Sequence, residues 1–247
     1  DRFAILDSPF GAPPFGGGSV LSHRAAVESA RGYAALYYPW IRINDPTSLT
    51  GATKLVPPSG HLAGIFARSD TERGVHKAPA NELIRGAIGL ERVVDEAEHG
   101  ELNIEGVNVL RIFAGKARPI VWGARTTAPK DIVAWRYVNV RRLFLFVEES
   151  ILEGLRWAVF EPNDTGLWKK IHRTLTEFLT RVWRSGALFG DTAAEAFYVK
   201  VDAELNPEPV RALGQVIIEI GIAPVRPAEF VVVRIGMWDG GSEVTEA

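Results

Sequence analysis

The sequence predicts an α+β protein in which a mixed sheet packs against amphipathic helices. Three observations predict it. Two stretches in the middle of the chain repeat apolar residues at helical spacing, and the runs that follow, FYVKV, VIIEIGI and EFVVVRI, alternate as strands do. These helices come before those strands rather than between them, which argues against a doubly wound βαβ array.

The first strand-like runs are Phe3 to Leu6 and Tyr37 to Ile43. Between them lie the turn-rich PFGAPPFGGGS and the helix-compatible RAAVESARGYAAL. NDPTSLTGATKLVPPSG, rich in Pro, Gly, Ser and Thr, predicts an exposed loop, and HLAGIFARSDTERG predicts a helix ending at Gly74. Short runs then alternate with polar breaks from Ala87 to Gly123, predicting strands and one short helix. Val140, Leu143, Phe144, Val147, Ile151, Leu155 and Ala158 mark the apolar face of the first long helix, with Arg141, Arg142, Glu148, Glu149, Glu153 and Arg156 opposite. Asp164 or Thr165 caps the second, whose apolar face carries Leu167, Ile171, Leu175, Phe178, Leu179 and Val182 and which Gly186 and Gly190 end. Strands with NPEPVRAL between the first two complete the chain. The last, EFVVVRI, follows Pro224 and Pro227 and is nearly unrelieved by polar residues, so left unpaired it would be an aggregation hazard.

Bulk composition excludes several classes. The chain has 247 residues, 47% of them hydrophobic, enough for one large core or two modest ones. Lys and Arg total 28 against 30 for Asp and Glu, a formal charge of -2, so no global footprint for nucleic acid or an anionic membrane is present. The absence of cysteine removes disulfides, zinc thiolates, iron–sulfur clusters and a cysteine nucleophile. No window reaches the roughly 18 apolar residues of a membrane span, and DRFAILDSPFG lacks the regions of a signal peptide. It also lacks an initiator Met, which reads as a fragment or a processed chain.

A search for chemistry finds little. No G-x-S-x-G, G-x-G-x-x-G or H-E-x-x-H occurs, and Gly115-Lys116 is followed by Ala117 where a phosphate loop needs Ser or Thr. The histidines, His23, His61, His76, His99 and His172, have no ligand spacing. His99 lies in DEAEHGE, which reads as a solvated polar helix or turn rather than a metal site. Glu148 and Glu149 point about 100° apart on a helix and cannot converge on one substrate atom. The second long helix carries Lys169, Lys170, Arg173, Arg181 and Arg184 against Glu177 alone. This cationic face serves either solubility or docking to an acidic protein surface.

The segments VPPSGHLAGIFARSDTERGVHKAPAN (56 to 81), VWGART (121 to 126), WRYVNVRRL (135 to 143), VFEPND (159 to 164) and GIAPVRPAEFVVVRIGMW (221 to 238) together resemble the tail sheath proteins of contractile phages and related injection particles, in the order of that family. The resemblance implies a structural polymer without cofactor or enzymatic activity. Its subunits stack as hexameric rings in a helical sleeve around an inner tube, between a baseplate and a terminal cap. The sleeve is assembled in the bacterial cytoplasm and contracts to drive the tube through a target envelope. The type VI secretion sheath, split between two proteins and recycled by an unfoldase, is the less similar variant.

In that family extended arms donate strands to neighbouring sheets, so the resemblance implies an intersubunit strand at Glu229, Phe230, Val231, Val232, Val233, Arg234 and Ile235. It also implies a tube-facing set of Lys169, Lys170, Arg173 and Arg181. The corresponding division is 1–135 for the N-terminal part of the body, 136–227 for the C-terminal core and 228–247 for the arm strand and tail. Family members usually carry a longer N-terminal half, so this chain reads as either a short sheath or a partial one. The competing readings are an α+β enzyme with an apolar pocket between helices and sheet, and a carbohydrate- or protein-binding module using some of the seven Trp residues, of which Trp157, Trp168 and Trp183 equally fit packing positions.

Overall fold

The structure, a computed structural model, describes residues 2–230, 237–239 and 242–244. In chain order the elements are β1 (Ala4–Asp7), α1 (Val20–Ala26), β2 (Ala34–Tyr38), β3 (Ile41–Asn44), β4 (Thr53–Val56), α2 (Ser59–Arg73), β5 (Glu82–Leu83), β6 (Ala87–Leu90), α3 (Glu96–Ile104), β7 (Val107–Arg111) and β8 (Ile120–Trp122). The long helices α4 (Val138–Gly154) and α5 (Thr165–Arg184) follow, then α6 (Ala193–Ala196), β9 (Phe197–Lys200), α7 (Glu208–Ala212), β10 (Glu219–Ile222), β11 (Met237–Asp239) and β12 (Ser242–Val244). The architecture is α+β with a mixed sheet: β1, β2 and β7 run parallel, and β8 and β5 close the order β1-β2-β7-β8-β5 antiparallel.

Strand β2, AALYY, is buried along its whole length because both faces of the sheet are covered. Ala35 and Tyr37 point toward α2 with Leu62, Ile65 and Phe66, while Leu36 and Tyr38 point toward Val20 of α1 and Leu102 of α3. The three-stranded sheet β4-β3-β6 adds Ile41 and Ala87 to the first of these layers. In the C-terminal part α4 and α5 pack Leu143, Val147, Leu179 and Val182 against Phe197 of β9, and nearer the start of α5 the residues Leu167, Ile171 and Leu175 meet Val199, Ile218 and Ile220. Val138 belongs instead to the core of the large sheet. Helix α4 is thus shared, its first turn in one core and its later turns in the other.

Several elements differ from the sequence expectation. Tyr37 to Ile43 is two strands in different sheets, β2 and β3, parted at Pro39, which has no N–H for a ladder. Only the start of RAAVESARGYAAL is helical. Helix α1 begins earlier, capped by Ser19, whose hydroxyl accepts from the Ser22 N–H at 3.2 Å, and Ala34 to Leu36 are drawn into β2 by the ladder with β1, joined from Leu36 onward by that with β7. Gly32 makes the turn between them at φ +66°. Helix propensity is worth less than 1 kcal/mol per residue and yields to this burial. The predicted loop after Ile43 contains β4, paired with β3, and NPEPVRAL contains α7. DEAEHGE forms α3 with a capping box between Asp95 and Glu98, the polar helix expected.

Arg141 is the sharpest correction. Expected on the solvated face of α4, it is 2% exposed, its guanidinium sandwiched 4.4 Å from the ring centres of both Tyr33 and Trp135. Cation–π stacking on two rings and a 3.5 Å pair with Glu148 offset its desolvation. The neighbouring Arg142 forks onto Asp70 of α2 at 2.8 and 2.5 Å. The first two charges of the side that reads as polar therefore dock α4 onto the body, while Glu148, Glu149 and Glu153 further along it face water.

Candidate functional site

Three features lie at the C-terminal end: a narrow sheet, the root of the terminal segment, and the outer face of α5. The sheet is β10-β9 alone, antiparallel, with Glu219 opposite Lys200 and Ile222 opposite Phe197. Gly221 faces Tyr198, whose ring occupies the space a side chain would need and whose hydroxyl donates to Glu219 at 2.7 Å. Among the described residues no third strand pairs with either edge, although isolated two-stranded sheets are marginal without further support.

From β10 the chain is pinned across the body. The Ala223 N–H donates to the Ala196 carbonyl at 2.9 Å, the Val225 N–H to that of Ala187 at 3.2 Å, and Asn139 Nδ2 donates to both the Val225 and His76 carbonyls. Glu229 then enters a socket beside the five-stranded sheet. Its carboxylate accepts two bonds from the Arg125 fork at 2.8 and 2.9 Å, one from the Tyr137 hydroxyl at 2.8 Å and one from Asn103 Nδ2 at 2.9 Å. Asn108, fully buried, holds Arg125 in place through its backbone N–H and carbonyl, both at 2.7 Å. Arg125 also donates to the Asn103 carbonyl at 2.9 Å.

Burial pushes the Glu229 carboxyl up, but the bonds from Arg125, Asn103 and Tyr137, with the Arg125 charge, outweigh it and hold the group below the usual glutamate range. Burial, reinforced by the bond to Glu229, raises the Tyr137 phenol, which stays a donor. Nearby His99 is held below the usual histidine range by burial and by the Arg111 charge, so near neutral pH it adds no cation. A lowered carboxyl pKa contributes stability that is fully present above the value of an unfolded glutamate and is lost as pH falls through the lowered folded value. The socket is accordingly expected to open in acid, seen as faster amide exchange over residues 225 to 230. Glu229→Gln should remove that dependence, and the same acid profile in the variant would exclude Glu229 as its source.

Of the predicted intersubunit strand, Glu229 and Phe230 are described, and Val231, Val232, Val233, Arg234 and Ile235 lie outside the described residues. Glu229 is engaged with its own subunit, whereas Phe230 beside it is 71% exposed. Beyond it Met237 to Asp239 pair antiparallel with Ser242 to Val244. Lys169, Lys170, Arg173, Arg181 and Arg184 are all exposed on the side of α5 opposite its buried stripe, and none forms an ion pair among the described residues. Sequence reasoning missed Arg125, Asn103 and Tyr137. The signal was in view, because VWGART, WRYVNVRRL and GIAPVRPAEFVVVRIGMW each supply one member of the socket.

Two family models match in succession, the phage tail sheath protein central domain over residues 22–127 and the phage tail sheath C-terminal domain over residues 133–237. The chain belongs to the phage tail sheath family. A prophage major tail sheath protein of Pseudomonas aeruginosa strain UCBPP-PA14 is 30% identical over 245 residues, covering 96% of this chain and 58% of that protein. The sheath of an extracellular contractile injection system, PVC, in its contracted state superposes with a TM-score of 0.83 at 34% identity, over 96% of this chain and 64% of that one. The contracted helical sheath of the anti-feeding prophage gives 0.79 at 35%, over 94% and 61%. This sheath chain thus spans less than two thirds of the relatives it matches.

A groove of about 420 Å³ is lined by Phe3, Phe66, Leu145 and Phe146, with Arg142 committed to Asp70 and the acidic Glu149 and Glu153 beside it. Among the described residues no group of three or more His, Asp or Glu converges on a metal position, and no helix is long and apolar enough to cross a membrane. Trp168 is buried and Trp183 partly so, which leaves Trp157 as the exposed member of the three.

Proposed function

We propose that the protein is a structural, non-enzymatic subunit of a contractile tail sheath, stacking as hexameric rings around an inner tube and driving that tube through a cell envelope when the sleeve shortens. The observation that carries this reading is the match over nearly the whole chain to sheaths solved in the contracted state. Work would come from two packings of the same subunits rather than from chemistry. The two-stranded β9–β10 sheet supports the strand-exchange part: its open edges suit a strand from Phe230 to Ile235 of another copy, through β-augmentation. We retain the division 1–135, 136–227 and 228–247, with the arm's free part starting after Glu229.

The cationic side of α5 supports a reversible contact with an acidic tube surface, through Lys169, Lys170, Arg173 and Arg181. Lys169 and Arg173, one turn apart, repel by a few tenths of a kcal/mol, a cost that an external anionic partner would remove. Partners are then copies of this chain, the inner tube, a baseplate and a terminal cap, put together in the bacterial cytoplasm as part of a phage tail or injection particle. Negative-stain electron microscopy of the purified protein, alone and with its tube, is expected to reveal hollow striated sleeves. A protein that stays monomeric under both conditions would overturn the reading.

A further inference from the structure

The Glu229 socket joins segments far apart in the chain: Asn103 closes α3, Arg125 follows β8, Tyr137 precedes α4, and Glu229 arrives from beyond β10. Arg125 lies in the stretch matched as the central domain and Glu229 in the stretch matched as the C-terminal domain, so the ion pair crosses between them. Its two side chains are 11% and 17% exposed, which sets it apart from the loosely held surface pairs such as Lys130 with Glu105 at 67% and 41%. Four residues earlier, Val225 is tied to Ala187 and Asn139. Residues 225 to 229 therefore form a strap held at both ends, and at its far end Arg125 both grips Glu229 and caps the end of α3 through the Asn103 carbonyl.

From this we infer that Arg125, Asn103 and Tyr137 form a carboxylate latch whose role is to position the C-terminal arm, by fixing the residue at which the chain leaves the body. The inference rests on the reading of the segment from Phe230 onward as an intersubunit arm. A strand can add to a neighbour's sheet only in one register and direction, because a one-residue slip turns every side chain to the other face. A free tether starting at Val225 explores many exits, whereas one starting at Phe230 is aimed before it meets a neighbour, which lowers the ordering cost of assembly. The latch belongs to the arm's own subunit and acts on the joint by aiming the arm.

Limited trypsin digestion tests this. Arg226 precedes Pro227 and resists the protease, so release of the fragment beginning at Ile235 reports how freely the arm moves. Glu229→Gln and Arg125→Met are each expected to speed that cut by on the order of tenfold, because the latch opens locally without global unfolding. Both should lower sleeve yield while the thermal midpoint of the body falls by only the few degrees that breaking one partly buried ion pair costs, and the double variant should be cut no faster than either single one, as expected for one shared interaction. Unchanged cleavage and normal sleeves in Glu229→Gln would overturn the latch, as would loss of sleeves only through collapse of the thermal midpoint. A chain ending at Phe230, with the latch intact, separates the two ideas: sleeves from that chain would reject the arm itself, whereas the cut at Arg234 in the full chain still reads the latch.

Discussion

A chain ending at Phe230 is expected to fold and to build no sleeves. It loses Val231 to Ile235, the apolar run proposed to complete a neighbour's sheet, together with the β11–β12 hairpin. It keeps Glu229, and with it the four bonds that satisfy Arg125, Asn103 and Tyr137. Its stability should therefore stay within about 0.5 kcal/mol of the full chain, as for changes away from packed or paired groups. Ending the chain after Pro227 removes Glu229 as well and leaves the largely buried Arg125 fork without its carboxylate, a loss of about 1–3 kcal/mol. Denaturant midpoints of the two truncations, read beside electron micrographs, separate arm from latch. Sleeves from the chain ending at Phe230 would defeat the intersubunit strand.

Reversing Lys169, Lys170 and Arg173 to Glu together is expected to abolish binding to the inner tube while leaving the subunit folded. All three side chains are exposed and none forms an ion pair among the described residues, so the fold loses little, and a Glu–Glu repulsion of similar size replaces that of Lys169 with Arg173. Against an acidic surface each reversal replaces attraction by repulsion. Like-charge juxtaposition costs several kcal/mol, and at about 1.4 kcal/mol per decade the triple variant should bind tube at least 100-fold more weakly. Cosedimentation with tube at rising salt provides the measurement, and the gap between native and variant chains should narrow as screening shortens. An unchanged tube-bound yield at low salt would remove α5 from the tube-facing side.

Much of the helical core was legible in the sequence. The stripe of α5, capped at Asp164 and buried from Leu167 to Val182, follows from 3.6-residue periodicity alone, and FYVKV with VIIEIGI show the alternation of a half-covered sheet. Local pattern misled where tertiary contacts outweighed it. Ala34 to Leu36 read as helix because alanine and leucine favour it, yet pairing with β1, and with β7 from Leu36 onward, made them part of a central strand. Arg141 read as solvent-facing because charge usually is, yet Tyr33 and Trp135, neighbours only in the folded chain, enclose it.

The sequence by itself determined the class of the fold, the two amphipathic helices, the cationic helix face and the family, because each is written in residues close together or in motifs of fixed order. Only the tertiary structure decided that α4 serves two cores and that Glu229 is gripped by Asn103, Arg125 and Tyr137 from segments more than 90 residues before it. An ion pair formed across such a separation leaves no periodicity to read. It exists because the sheet and helices bring its donors to one point, and its strength comes from the partial exclusion of water there.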